Sequence, residues 1–328
     1  MKTSLQKSIG ENIGPNCFPQ TAQLLLNSTR FIVLQQSYRL LEIEFYYYSD
    51  QHPDPFTHCD PLQKTSDRWY FHRDGGSYRG GSFKGLDISF GPENTFGGIL
   101  IRTIAANDGT IINGCSLCVD HLLAQTQFEN IAALDEAINE RSIWDKSSPM
   151  HLVYLSDTEQ TSRKLIMTPR VGLTLKRMSQ NCEMPRYIMR PYRFLTEPTI
   201  KKGKVYNILA LYNQGNSIAD IKKLTNSPLH IIQKYVDAFH YGQSLKNFDS
   251  YQGKLLNNSE KCRLYGTVQI LAKLKFGLLP NIIGSVVPKS LIFKYRHWFV
   301  ETTRRLVVLT NQWKCSNHGN RELGMLNL

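Results

Sequence analysis

The chain of 328 residues is long enough for two domains, and its 41% hydrophobic and 20% charged residues describe an ordinary globular protein. Apolar runs such as Leu24-Leu25-Leu26 and Phe31-Ile32-Val33-Leu34 fall far short of a membrane span, and the N-terminus lacks the apolar core of a secretory signal. With seven cysteines in no regular framework, a soluble intracellular protein without a disulfide scaffold is expected. The net charge of +12 is unevenly spread: residues 1–200 carry 20 Lys and Arg against 21 Asp and Glu, whereas residues 201–328 carry 19 against 6, which points to a polyanionic partner, nucleic acid first.

In chain order, Phe18 to Leu26 reads as a short helix and Arg30–Gln35 as a strand. In the next run Leu41, Ile43 and Phe45 alternate with Glu42, Glu44 and Tyr46, the period of a half-buried strand. The face bearing the two carboxylates is either a solvated outer face or the lining of a pocket in which burial tunes an acid. Ser49–Lys64, rich in Asp, Pro and His, reads as a loop. The aromatic cluster Trp69-Tyr70-Phe71 and a glycine-rich hairpin from Gly75 to Gly85 follow. Gly97–Ile104 reads as a buried strand interrupted by Arg102, which needs an anionic or carbonyl partner. Helices are expected near Ser116–Ala124 and within Asn130–Arg141, and strands at Leu152–Leu155 and Lys164–Met167. Cys115 and Cys118 form a lone CxxC with no second pair, so no zinc is expected.

Beyond Lys201 the periodicity becomes helical. Val205–Tyr212 precedes a capping-box-like start at Ser217, and after the turn Thr225-Asn226-Ser227, Pro228 opens a helix over His230–Phe239. Three short helices over about 205–240 match a helix-turn-helix, although small trihelical units also bind proteins. Residues 254–328 alternate basic and apolar positions, with Lys294, Arg296, Arg304 and Arg305 near Tyr295, Trp298 and Trp313.

The ordered motifs Glu42-Ile43-Glu44-Phe45-Tyr46, His58, Gly76 to Gly85, Leu100-Ile101-Arg102, Gly114 to Leu117, Pro169-Arg170-Val171-Gly172 and Tyr192-Arg193-Phe194 resemble the alkyladenine (3-methyladenine) DNA glycosylase family over about residues 18–197. The resemblance implies a mixed α/β fold with a curved antiparallel sheet as catalytic domain, residues 13–198, and to it is added a mainly helical basic domain, residues 202–328. It further implies a monofunctional glycosylase that needs neither metal nor organic cofactor and acts on double-stranded DNA as a monomer. Glu44 would be the general base that orients water towards the sugar C1′ of a flipped nucleotide. Tyr46 and His58 would contact the base, and Arg102 would lie beside the pocket. Trp69 and Tyr70 are further expected to help form the pocket. DNA contacts are expected from Arg79, Phe83, Lys84 and Arg170, and in the basic region from Lys222, Lys223 and Lys234. The sequence departs from the family in the hairpin, where Gly81 and Lys84 replace aromatic residues and Phe83 lies beside the wedge position. The alternative is a non-catalytic DNA-binding regulator that keeps the fold.

Overall fold

The computed structural model describes residues 14–91 and 94–276. Helix α1 (Phe18–Asn27) buries Phe18, Ala22, Leu25 and Leu26 as one stripe at helical spacing. The strands β1 (Thr29–Val33) and β2 (Gln36–Ser49) form a hairpin, and β2 turns back into the short β3 (His52–Pro53). Next come β4 (Ser66–Phe71), the small hairpin of β5 (Arg73–Asp74) and β6 (Ser77–Tyr78), then β7 (Leu86–Phe90), β8 (Phe96–Ala106) and β9 (Ile111–Asn113). Helices α2 (Cys115–Thr126) and α3 (Ile131–Ile138) precede β10 (Met150–Tyr154) and β11 (Ile166–Thr168), and the single turn α4 (Met184–Tyr187) leads into β12 (Arg193–Leu195). The remaining described chain is helical: α5 (Lys204–Asn213), α6 (Ile218–Thr225), α7 (Leu229–Ser244) and α8 (Asn258–Phe276).

Among the described residues, ten strands form one antiparallel sheet with the central order β10-β1-β2-β8-β7-β4. β2 is its hub. The start of β2 pairs with β1, Glu42, Ile43 and Glu44 pair with β12, and its other edge runs along β8. The register slips on either side of Glu42, and this bulge breaks the simple alternation expected for the strand. Ile43 and Phe45 enter a core with α1, α2, α3, β7 and β8, whereas Leu41 joins a second core with Ala105, Leu195, Ile208, Leu211 and Ile232.

That second core joins the helices to the sheet. The expected change from sheet to helix near residue 200 occurs between β12 and α5, yet both sides of it lie in one compact unit that contains every described residue. Within the helical part, Ser217 caps α6, its Oγ accepting from the Asp220 N–H at 3.1 Å. Pro228 is the residue that caps α7 rather than its first helical residue. Helices α7 and α8 cross closely: a Cβ on Gly242 would lie 2.0 Å from the Arg263 carbonyl oxygen, and one on Gly266 2.0 Å from that of Phe239. The basic and aromatic positions from Lys294 to Trp313 lie outside the described residues.

Candidate active site

The face of β2 opposite α1 carries the ionic centre of the protein. Glu42 and Glu44 are both fully buried, so this stretch of strand has no solvated outer face. Each carboxylate is met by cations and donors from other elements, Arg193 on the neighbouring strand β12, Arg102 and Thr103 on β8 and the Val171 N–H, as burial requires.

Glu42 Oε1 accepts from Arg193 Nε at 2.6 Å and Arg102 Nε at 3.1 Å, and its Oε2 accepts from the Thr103 hydroxyl. Burial alone would raise this carboxyl, but Arg193 and Arg102 outweigh it and hold the group below its ordinary value. Arg193 is itself fully buried, and its remaining N–H groups reach Thr168 Oγ1 at 2.9 Å, Asn207 Oδ1 at 2.7 Å and the Lys202 carbonyl at 3.1 Å. A helical residue, Asn207, thus completes a cluster that begins on the sheet.

Glu44 is held from three directions. Its Oε1 accepts from the Val171 N–H at 2.6 Å, and its Oε2 accepts from the Tyr46 hydroxyl at 2.9 Å and faces Arg102 Nη1 at 3.4 Å. Burial and the Glu44 charge raise the Tyr46 phenol well above its usual pKa, which keeps the hydroxyl protonated and donating. Burial alone would lower Arg102, yet Glu44 and Glu42 together raise it above the ordinary guanidinium value. Tyr46 and Arg102, both expected at the site, therefore meet at one Glu44 oxygen.

A row of directly paired residues runs across this face: Glu44 opposite Leu100, Leu100 opposite Asp87, and Asp87 opposite Tyr70. Since cross-strand partners share a face, the row links the Glu44 cluster to a second polar group. Asp87 Oδ1 bonds His72 Nε2 at 2.7 Å, and the His72 ring meets His58 edge-on with centroids 4.4 Å apart. Part of His58 stays exposed, but desolvation and then His72 push it down to about 4, so it is neutral at physiological pH. Gly98 makes room for Asp87: a Cβ there would lie 2.3 Å from Asp87 Oδ2 and 2.8 Å from Gln63 Nε2.

Three of the expected contact residues, Trp69, Tyr70 and Arg170, are buried. Trp69 points to the opposite face, into the main core, where its Nε1 donates to the Met150 carbonyl at 3.1 Å. The alternation of β4 leaves Tyr70 on the site face, but Tyr70 is 1% exposed and offers no open stacking surface. Arg170 is also 1% exposed; it pairs with Asp54 at 2.8 Å and lies over the Tyr46 ring, so it braces the site and meets no phosphate. Lys84 pairs with Asp120, and Arg79 donates to the Arg73 carbonyl at 3.2 Å. Phe83 stands 72% exposed at the end of a 3-10 turn, and Lys222, Lys223 and Lys234 lie exposed on α6 and α7. Glu42 and Arg193 stand in the quoted motifs without an expected role, and no local pattern marks Asn207 or the His72–Asp87 pair as site residues. Among the described residues no group of three or more His, Cys, Asp or Glu side chains is arranged to hold a metal, and no helix is long and apolar enough to cross a membrane.

An antiparallel α/β protein built around a buried double-carboxylate, double-arginine cluster is the class these features define. No family model matches the chain. It is 33% identical over 210 residues to an uncharacterized protein of Acanthamoeba polyphaga mimivirus, an alignment that covers 59% of this chain and 92% of that relative. The chain belongs to the same family as this mimivirus protein.

Proposed function

We propose that the protein is a DNA glycosylase, a hydrolase that cleaves the N-glycosidic bond of a modified base flipped out of duplex DNA. The observation that carries this reading is the convergence of Glu44, Tyr46 and Arg102 from two strands into one hydrogen-bonded group. In the proposed reaction a water oxygen forms the new bond to C1′, the C1′–N bond breaks with its electron pair leaving on the base, and Glu44 takes the proton from the water. One carboxylate suffices where the base is cationic or protonated, because it is then a good leaving group. Tyr46 and Arg102 hold Glu44 in one orientation, and neutral His58, backed by His72 and Asp87, is the base contact. Exposed Lys222, Lys223 and Lys234 on a helix-turn-helix-like pair supply contacts to the DNA. The reaction serves base excision repair or the removal of modified bases from foreign DNA.

One observation favours a second reading, a non-catalytic DNA-binding protein: both Glu44 oxygens already accept hydrogen bonds from the protein. Single-turnover release of base from modified duplexes separates the two. Under the glycosylase reading Glu44→Gln abolishes release and keeps DNA affinity within a few-fold; if the native protein releases no base from any modified duplex, the DNA-binding reading replaces it.

A further inference from the structure

Val171, whose N–H binds Glu44, also lines a cavity of about 330 Å³ whose lining carries three lysines and no acid. Lys201 is exposed at its edge, while Lys204 and Lys261 are half-buried. Burial and then Lys201 lower the Lys204 pKa, as expected where cations are gathered without a counter-charge. The nearby acid Glu260 is engaged by Lys254 at 2.9 Å.

Two helix N-termini open on the same space. Gly203 before α5 and Pro228 before α7 both line the cavity, and neither helix has a side-chain cap. The first turn of a helix carries the positive end of its dipole, and here the N–H groups of Lys204, Tyr206 and Ile231 in those turns already donate to the carbonyls of Lys201, Gly203 and Pro228. Ser227, also in the lining, is 5% exposed, and its Oγ has no hydrogen-bond partner among the described residues. A buried hydroxyl left without a partner costs stability unless something bonds it.

We propose that this cavity binds a phosphate group. Such a group supplies the missing negative charge at the lysines and at the positive ends of α5 and α7, and a partner for the Ser227 hydroxyl. Either a phosphodiester of a nucleic acid or a free phosphate has this chemistry. The site is separate from Glu44 and does not depend on base excision, although Val171, whose N–H binds Glu44, forms part of its wall.

The test compares the full-length native protein with the double variant Lys204→Gln/Lys261→Gln and with Ser227→Ala, whose small change guards against a folding defect. Two readouts are taken: the rise in melting temperature on replacing chloride with inorganic phosphate at equal ionic strength, and the salt dependence of affinity for an unmodified duplex. The native protein should show the phosphate-specific rise, and both variants should lose most of it. If the group belongs to nucleic acid, the double variant also lowers the log–log salt slope by about 1, the one phosphate no longer neutralised; an unchanged slope with a lost phosphate response identifies a free phosphate ligand. No phosphate-specific rise in the native protein together with an unchanged slope in the double variant overturns the proposal. Neither readout involves base release, so failure of the glycosylase reading leaves this result interpretable.

Discussion

Glu42 is the residue on which the buried cluster depends, since it alone bonds both Arg102 and Arg193 through one oxygen. Glu42→Gln keeps the shape and removes the charge, leaving the fully buried Arg193 without its anionic partner. Breaking a buried pair in this way costs roughly 3–5 kcal/mol, to be read as a lower denaturation midpoint at neutral pH. The pH dependence has a defined sign. The folded-state pKa of Glu42 is depressed, so its contribution is present above the ordinary carboxylate pKa and is lost as pH falls through the lower folded value. Stability of the native protein should therefore fall on acidification below about pH 4, and the Glu42→Gln variant should show a shallower fall over the same range in denaturant titrations. Glu44 differs: its partners Tyr46, Val171 and Arg102 orient one carboxylate beside a phenol, and under the glycosylase reading it is the proton acceptor.

At the scale of elements, the hairpin and the crossed helices make separate demands. The 3-10 turn that ends in Phe83 includes Gly81, around whose Cα no atom would meet an added Cβ within 4 Å. Trp69, held in the core by its bond to Met150, does not fill that space. Under the glycosylase reading a base bearing a bulky substituent should be released faster than a small alkylated purine from otherwise identical duplexes; a strong preference for the small lesion would refute the idea that Gly81 leaves room beside the flipped base. The α7–α8 crossing is stricter, because Gly266 faces the backbone oxygen of Phe239 rather than a movable side chain. Gly266→Ala must push the helices apart, with a loss of about 1–3 kcal/mol measurable by thermal melting. Locally determined elements such as α3 and α6 were legible in the sequence because a capping side chain, Asn130 or Ser217, and helical periodicity sit within each segment. The bulge in β2 was not, since it is set by pairing with β8, more than fifty residues away in sequence (Glu42 opposite Thr103).

For the molecule as a whole, the shared core of sheet and helices makes the sheet region and α5–α7 interdependent. A fragment ending at residue 200 would expose Leu41, Ala105 and Leu195 and deprive Arg193 of Asn207. It should fail to melt cooperatively, whereas the native chain should retain a cooperative transition by circular dichroism; a well-folded fragment would show that the helices are dispensable. The basic character of residues 201–328, the strand around Glu44, the need of Arg102 for an anion, and most helices followed from the sequence alone, because charge, alternation and capping are written in neighbouring residues. Only tertiary structure decided that Glu42 is as buried as Glu44, that Arg170 pairs with Asp54 instead of facing solvent, and that Asn207 closes the cluster. Each of those outcomes depends on what packs over a strand from distant parts of the chain, and the partner of a buried charge is fixed by that packing and not by its neighbours in sequence.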